Sequence, residues 1–296
     1  MARQQTTPMN RFLNVNGWAF VSVSLLLIAI FSIYPVIKSL WLSTQVGMGV
    51  VTHFGGFSNI IRLTRDPLFL TALKNTFIFF IVQVPIMITL SLILANSLNN
   101  PNLKFRGILR TAIFLPCVTS LVAYSVLFKS MFSYNGLINS LLLAIHIISE
   151  PIPWLTDPFW AKVTIIIAIT WRWTGYNMIF YLAALQNIDR SIYEAADLEG
   201  ASARQKFFRI TVPMLKPVIL FTTITSTIGT LQLFDEVMNI TIGGPANATI
   251  TLSMYIYNLS FKFVPNFGYA ATVSYVIVLI VALLSIVQFK VAGRDK

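Results

Sequence analysis

Long apolar runs with almost no charge constrain this chain more than any other feature of its sequence. A helix needs about 20 apolar residues to cross the roughly 30 Å hydrocarbon core of a bilayer. Six runs approach or reach that length, at residues 18–37, 75–97, 111–128, 163–185, 218–234 and 269–289. Only 10% of the residues are charged, against about 25% in soluble domains. The sequence therefore predicts an all-α membrane protein with six transmembrane helices.

The distribution of basic residues predicts the orientation of these helices. Most of the 21 Lys and Arg residues fall in the N-terminal segment, in the loops after the second and fourth runs, and near the C-terminus. Basic loops stay on the cytoplasmic side. We therefore expect a cytoplasmic segment at 1–17, a transmembrane domain at 18–290 and a cytoplasmic tail at 291–296. The net charge of +11 is then explained by orientation against a lipid bilayer, and no nucleic-acid partner is expected.

Two further apolar segments, 137–148 and 250–261, are too short to cross a bilayer. They are expected to be interfacial or re-entrant helices, and the sequence leaves both options open. Counting 137–148 as a seventh span would move the basic loop that follows the fourth run to the outside. The charge asymmetry therefore favours six spans.

The most polar stretch is the loop at 189–217, between the fourth and fifth runs. Ser191 and Glu194 have the S-x-x-E spacing of a capping box, which predicts a short helix ending near Glu199. Gly200 is suited to a left-handed cap at its end, and Ser202 and Gln205 form a second possible box. The pattern predicts a helix–glycine–helix element on the cytoplasmic face. Taken alone, its periodicity fits a solvated loop equally well.

The spacing within this loop is more specific than its periodicity. It fits E-A-A-x3-G-x9-I-x-L-P at Glu194, Ala195, Ala196, Gly200, Ile210 and Pro213, with Val212 at the position of the leucine. This pattern resembles the EAA motif of ABC importer permeases. In that family the motif forms a coupling helix that docks on an ATP-binding subunit. The resemblance implies that these six residues couple the chain to a partner ATPase dimer, which binds ATP and Mg²⁺, and that this chain holds no cofactor.

Other segments narrow the resemblance to carbohydrate-type permeases of the MalF or UgpA kind. They are residues 184–188 before the motif, Gly243-Gly244-Pro245 after the fifth run, and residues 267–271 before the sixth. The resemblance implies a multi-pass permease of the bacterial inner membrane. It would import an oligosaccharide, a sugar phosphate or a related polyol or uronate by alternating access. The implied partners are a periplasmic solute-binding protein and a second, homologous permease.

Ionisable residues within or beside the spans point to a polar site. Each costs about 3 kcal/mol to insert and usually faces the protein interior or an aqueous path. Arg172 and Asp235 are expected within bridging distance, either as an ion pair joining two helices or as part of a translocation pocket. The candidate pathway residues are those whose rings stack on sugars or whose polar groups bond hydroxyls: Trp171, Arg172, Trp173, Gly175, Tyr176, Asn177, Gln232 and Asp235. The tryptophans fit simple packing equally well.

The sequence offers no pattern for catalysis. It contains no P-loop motif, its two histidines, His53 and His146, lie far apart, and Cys117 is its single cysteine. A non-catalytic chain without a metal is therefore expected. The main alternative is a secondary transporter driven by an ion gradient, with Asp235 and Glu236 as candidate ion ligands. That alternative gives the 189–217 loop no role, and no inverted repeat is visible.

Overall fold

The computed structural model describes residues 8–293, and most of that range is helical. The first run lies in one continuous rod, formed by α1 (Pro8–Ile28), a π-helical turn (Ala29–Ile33) and α2 (Tyr34–Ser43). The span Asn16–Ser43 is exposed along its apolar window and touches the rest of the chain mainly through α2. Parts of the predicted terminal segments, residues 1–7 and 294–296, lie outside the described residues.

A small antiparallel hairpin follows α2, which departs from the purely helical expectation. Strands β1 (Gln45–Met48) and β2 (Val51–Phe54) pair with Met48 opposite Val51. Gly49 has a φ of +63° in the two-residue turn, a backbone conformation that glycine adopts without a steric penalty. The side-chain amide of Asn59, in α3 (Ser58–Leu63), donates to the carbonyls of Ser43 and Gln45 and fixes the hairpin to the rod.

Three further long helices coincide with predicted runs. They are α4 (Pro67–Leu98), α8 (Pro158–Leu185) and α14 (Phe267–Gly293). Both α4 and α8 begin with an aspartate cap followed by proline at the first helical position, and the caps accept from two backbone N–H groups each. An aspartate cap and a first-turn proline together fix a helix start, so α4 begins before its apolar run.

The third run is not one straight span, which corrects the prediction for 111–128. It is divided into α5 (Arg106–Val118) and α6 (Leu121–Met131), whose axes differ by 100°. Thr119 and Ser120 between them have extended backbone. Pro116 lies in the last turn of α5 and removes a helical N–H donor, which weakens the helix just before the break.

The fifth run is also interrupted. Helix α12 (Lys216–Leu231) ends three residues before the predicted boundary, the backbone at 232–234 is unwound, and helical structure resumes at Asp235 into a π-helical turn (Val237–Thr241). The hydroxyl of Thr251 donates to the carbonyl of Leu233 at 2.6 Å and satisfies one group of the unwound stretch. The prediction of a continuous helix to residue 234 was wrong at its end.

The two short apolar segments form short helices. They are α7 (Leu137–Ala144) and α13 (Leu252–Tyr257), the latter extended by a π-helical turn (Asn258–Lys262). By length and composition, three of the described helices can cross a membrane, or up to five if each of two bent pairs is one span: α5 with α6, and Ala203–Met214 with α12. Helix α8 has 28 residues, enough length to cross, but its polar side chains reduce its hydropathy. The exact count of six stays a prediction.

Two apolar clusters form the core, and a polar layer separates them. One contains Phe79 of α4 and Ile169 of α8 and extends to α13 and α14. The other contains Ala95 of α4 and Met178 of α8, at the opposite ends of the same helices. The residues between these positions on α4 and α8 include buried amides and the charged Arg172. The functional site lies in this layer.

Candidate functional site

A cavity of about 680 Å³ occupies the polar layer. This volume is within the range of roughly 300–1,000 Å³ typical of small-molecule sites. Its walls come from α4, from the break between α5 and α6, from α8, and from α12 with its unwound end. The lining residues on these elements are Gln83, Met87, Cys117, Leu121, Ile169, Arg172, Trp173, Tyr176, Asn177, Thr225, Ser226, Gly229, Thr230, Gln232, Leu233, Phe234, Asp235 and Glu236.

Most of the residues proposed from sequence as a solute pathway line this cavity. They are Arg172, Trp173, Tyr176, Asn177, Gln232 and Asp235. The four on α8 share one helical face, because residues three and four positions apart project in similar directions. The sequence thus selected a set of residues that the fold brings together around one space.

Trp171 and Gly175 do not line the cavity. The Trp171 ring is 5.8 Å from the Tyr124 ring at an interplanar angle of 13°, and 5.3 Å from the Phe128 ring. A Cβ on Gly175 would lie 2.0 Å from the carbonyl oxygen of Ile113. Both residues therefore pack α8 against α5 and α6.

The ion pair of the polar layer joins Arg172 to Glu236, which corrects the expected bridge to Asp235. The guanidinium Nη1 is 3.6 Å from Glu236 Oε1, and both side chains are buried. The prediction that Asp235 is the partner required an unbroken fifth helix. Unwinding at 232–234 changes the direction in which the following residues project, so the second of the two adjacent acids reaches the arginine.

Aromatic rings hold the arginine in place. Its guanidinium carbon is 5.2 Å from the ring centroid of Tyr124 and 5.5 Å from that of Trp173, within the range of cation–π attraction. Its Nε and Nη1 have no hydrogen-bond partner in the described part of the chain. The cation is therefore balanced by one carboxylate and two ring faces.

Several polar residues of the cavity were not predicted from the sequence. The Thr230 hydroxyl donates to Gln83 Oε1 at 3.0 Å, and the Ser226 hydroxyl lies 3.5 Å from Asn177 Oδ1. These contacts join α12 to α4 and α8. Gln83, an amide inside the second apolar run, was a visible signal, because a polar side chain within a membrane span usually faces the protein interior.

The cavity provides hydrogen-bonding and stacking groups. Hydroxyl, amide and carboxylate side chains lie beside the rings of Trp173 and Tyr176. The unwound segment at 232–234 borders the same space, and non-helical backbone at membrane depth is tolerated where it lines a cavity. Such a site fits a hydroxylated solute. In residues 8–293, no group of three or more metal-ligating side chains is present.

A second candidate site is the 189–217 loop, which begins with α9 (Arg190–Leu198). Asp189 caps this helix and accepts from the Ser191 N–H at 3.0 Å, a hydrogen bond that lowers the pKa of the aspartate. The predicted Ser191–Glu194 capping box was wrong, because Asp189 starts the helix earlier and leaves Ser191 inside its first turn. The second box was right: Gln205 N–H donates to the Ser202 hydroxyl, and Ser202 N–H donates to Gln205 Oε1.

The expected glycine cap is confirmed. Gly200 has a φ of +75°, its N–H donates to the carbonyl of Asp197, and the N–H of Ala201 donates to the carbonyl of Ala196. This pair of hydrogen bonds defines a Schellman motif. The chain then reverses into α10 (Ala203–Lys206), a π-helical turn (Phe207–Thr211) and α11 (Val212–Met214).

Two side-chain contacts connect the halves of the loop. Lys206 forms an ion pair with Asp197, and the hydroxyls of Tyr193 and Thr211 are 2.9 Å apart. Of the six motif residues, Ala196 is buried and Ile210 is half-buried, while Glu194, Ala195, Gly200 and Pro213 are exposed. Leu198 is 92% exposed. The loop is thus internally braced and presents small and apolar groups outward.

Residues 76–292 match the family described as "Binding-protein-dependent transport system inner membrane component". The lactose transport system permease protein LacF of Rhizobium radiobacter is 65% identical over 298 residues, covering all of both chains. The arabinooligosaccharides transport system permease protein AraP of Halalkalibacterium halodurans is 34% identical, over 94% of this chain and 88% of that protein.

Two solved structures share the fold. A chain of a bacterial alginate ABC transporter in complex with an alginate pentasaccharide-bound periplasmic protein has a TM-score of 0.85 at 22% identity, over 96% of this chain and 97% of its own. A chain of an ABC transporter involved in import of the acidic polysaccharide alginate has a TM-score of 0.83 at 22% identity, over 97% and 99%. At this identity the likeness shows the fold alone.

Proposed function

The chain belongs to the family of binding-protein-dependent transport system inner membrane components, and we propose from that membership that it is the permease subunit of an ATP-driven carbohydrate importer. The observation that carries the proposal is the 65% identity to a lactose permease along the whole chain. A second relative is described as a permease for arabinooligosaccharides. We propose a neutral disaccharide or short oligosaccharide of this kind as the solute.

The proposed topology has six spans with both termini in the cytoplasm. The spans are the rod ending at α2, α4, the bent α5–α6 pair, α8, α12 with its continuation, and α14. The basic residues of the 189–217 loop support a cytoplasmic location for it. Helices α7 and α13 would then lie toward the opposite side, where a periplasmic solute-binding protein delivers the sugar.

The 189–217 loop is the proposed contact with a partner ATPase dimer, which binds ATP and Mg²⁺. The outward Ala195 and Gly200 and the exposed Leu198 support this, because small and apolar groups let a partner surface approach closely. The Tyr193–Thr211 and Asp197–Lys206 contacts make the loop rigid enough to transmit movement. When the ATPase dimer closes, the loop would move with it and turn α8 and α12, which flank the cavity.

The cavity is the proposed solute path, completed by a second, homologous permease. Trp173 and Tyr176 provide ring faces for stacking on a sugar, and Asn177, Gln232 and Asp235 provide hydrogen-bonding groups for its hydroxyls. Arg172 also lines the cavity and belongs to the same proposed path. Trp171 and Gly175 are instead proposed to shape the path by packing α8 against α5 and α6.

The ion-gradient alternative has no support from the relatives reported above, which are described as transport system permeases. Its candidate ligand Glu236 is also paired with Arg172.

The test is uptake by proteoliposomes that contain this chain, its second permease and its ATP-binding subunits, with the solute-binding protein added outside. We expect labelled lactose to enter only when both ATP and the binding protein are supplied. Uptake that persists with a proton or sodium gradient and without ATP would contradict the proposal. The matched control is the same complex with an ATPase subunit that binds ATP but does not hydrolyse it.

A further inference from the structure

Family membership leaves open whether the solute is a neutral or an anionic sugar. The charge of the cavity wall bears on that choice. A lactose permease and an importer of an acidic polysaccharide are both similar to this chain. Lactose carries no charge, whereas an acidic polysaccharide brings a carboxylate into the path. The charged groups that line the cavity therefore bear on the substrate class of the proposed function, on which this inference rests.

Three of the lining side chains are charged: Arg172, Asp235 and Glu236. Arg172 and Glu236 form an ion pair at 3.6 Å, and both are buried. A buried arginine paired with a carboxylate contributes little net charge to its surroundings. The positive charge of Arg172, which would otherwise attract an anionic solute, is therefore already neutralised.

Asp235 is the remaining charge. No ion pair of Asp235 is present in the described part of the chain, and its exposed side chain lines the cavity beside the neutral pair. It stands where the fifth helix resumes after the unwound 232–234 segment. The wall thus carries a net negative charge, with uncharged hydrogen-bonding groups such as Asn177 and Thr230 around it.

We infer that Asp235, next to the neutral Arg172–Glu236 pair, makes the cavity accept uncharged sugars and reject anionic ones. A carboxylate or phosphate on the solute would meet the like charge of Asp235 at close range and be repelled by it. A neutral sugar avoids this repulsion and still hydrogen-bonds to Asp235 through its hydroxyls. The Glu236 carboxylate contributes indirectly, because it prevents Arg172 from attracting anions.

The test compares three sugars that share one skeleton and differ in their terminal group. Lactitol is neutral, lactobionate is anionic, and 1-amino-1-deoxylactitol is cationic. Binding of each is measured by equilibrium dialysis to the assembled transporter in nanodiscs, without the solute-binding protein, so that the specificity of that protein does not contribute. For the unmodified complex we expect lactobionate to bind at least tenfold more weakly than lactitol, and the cationic analogue to bind no more weakly than lactitol.

Two variants locate the effect. Asp235→Asn keeps the hydrogen-bonding shape and removes the charge, and Glu236→Gln releases the positive charge of Arg172. Each should reduce the ratio of lactitol affinity to lactobionate affinity by tenfold or more, whatever the change in lactitol affinity itself. Glu150→Gln is the matched control, because Glu150 is an exposed acid outside the cavity, and it should leave all three affinities unchanged.

Equal binding of lactitol and lactobionate to the unmodified complex would overturn the inference, as would unchanged discrimination in both cavity variants. If a variant does not assemble, the relative affinities of the three sugars for the unmodified complex still test the inference. A complex that shows ATP-driven lactose uptake but binds none of the three sugars also overturns it. Absence of ATP-driven uptake would instead count against the proposed function, so the two failures are distinguishable.

Discussion

A single carboxylate, Asp66, connects three helices that are distant in sequence. Its Oδ1 accepts from the backbone N–H groups of Leu68 and Phe69 and caps α4. Its Oδ2 accepts from the hydroxyls of Tyr255 in α13 and Tyr269 in α14, at 2.5 and 2.6 Å. Burial by itself raises the pKa of Asp66, but the hydrogen bonds from the tyrosines and the backbone outweigh it and lower the pKa.

Asp66→Asn is therefore expected to destabilise the protein more than Asp157→Asn. Asp157 caps α8 through the same pair of backbone N–H bonds but has no hydrogen bond from a tyrosine among the described residues. A hydrogen bond to a charged group contributes about 1.5–3 kcal/mol. The decrease in the free energy of unfolding should therefore be larger for Asp66→Asn by about that amount. Thermal unfolding of the detergent-solubilised protein at pH 7 measures it, and equal losses would contradict the assigned role.

The stability that Asp66 contributes should depend on pH in a defined direction. A folded-state pKa below the unfolded value of about 3.9 means that the contribution is complete above that value. It is lost as the pH falls through the folded pKa. The gap in unfolding temperature between the unmodified protein and Asp66→Asn should thus stay constant from pH 7 to about pH 5 and narrow below about pH 4. A gap that narrows as the pH rises would contradict this.

Gly175 is a position where a side chain has no room. An added Cβ would lie 2.0 Å from the Ile113 carbonyl oxygen, so Gly175→Ala should force α5 and α8 apart. Overpacking of this kind costs about 1–3 kcal/mol. Gly229→Ala is the control, because Gly229 is also helical and an added Cβ would meet nothing within 4 Å. We expect a lower unfolding temperature for Gly175→Ala only, and similar values for both would contradict the packing role.

At the scale of elements, the 189–217 loop shows which parts of a motif are structural. Gly200 is required by its positive φ rather than by crowding, since an added Cβ would meet nothing within 4 Å in this chain. A non-glycine residue in the left-handed region costs about 1–2 kcal/mol, and asparagine is among the few that tolerate it. The glycine therefore ends α9 and turns the chain toward α10.

Gly200→Val should uncouple ATP hydrolysis from uptake, whereas Gly200→Asn should retain most of the coupling. Valine is β-branched and is a genuine outlier at positive φ, so it should distort the Schellman cap and the surface offered to the partner. The readout is the number of ATP molecules hydrolysed per sugar transported in proteoliposomes, with assembly of the complex checked by gel filtration. Equal ratios for the two variants would contradict the role of the cap.

The Asp197–Lys206 ion pair is expected to stabilise the loop only modestly. Both partners are partly exposed, and exposed pairs contribute about 0–1 kcal/mol. Asp197→Lys should raise the ATP-to-sugar ratio slightly, and adding Lys206→Asp should restore it, because the swapped charges attract again. A double variant that is worse than either single variant would show that the loop does not depend on this pair.

At the scale of the whole molecule, polar groups are concentrated where helices break. The breaks at 119–120 and 232–234 both border the cavity, which lies between two apolar clusters. Unpaired backbone groups are costly in lipid, so helices are interrupted where protein or a solute path surrounds the break. The bilayer-facing surfaces of the rod and of α14 remain apolar.

The proposed topology places Ser202 and Glu150 on opposite sides of the membrane. In a Cys117→Ala background, Ser202→Cys should react with an impermeant thiol reagent only from the cytoplasmic side, and Glu150→Cys only from the outside. Both positions are exposed, so access to the reagent depends on sidedness. Labelling of both cysteines from the same side would contradict the six-span arrangement.

The sequence by itself determined the helical membrane architecture, the helix–glycine–helix loop and six of the residues that line the cavity. These follow from local properties: the length of apolar runs, the spacing of one motif, and polar side chains within spans, of which Trp173, Tyr176 and Asn177 are examples. Each property can be recognised from the residues of a single helix or loop, because a bilayer imposes the same length and polarity requirements on every span.

Only the tertiary structure decided which acid pairs with Arg172, where the third and fifth runs break, and that Trp171 and Gly175 pack instead of lining the cavity. These outcomes depend on contacts between segments far apart in sequence, such as the Thr251 hydroxyl on the Leu233 carbonyl and Gly175 against Ile113. A change of a few residues in where a helix unwinds redirects every side chain that follows, and hydrophobic periodicity does not encode that position.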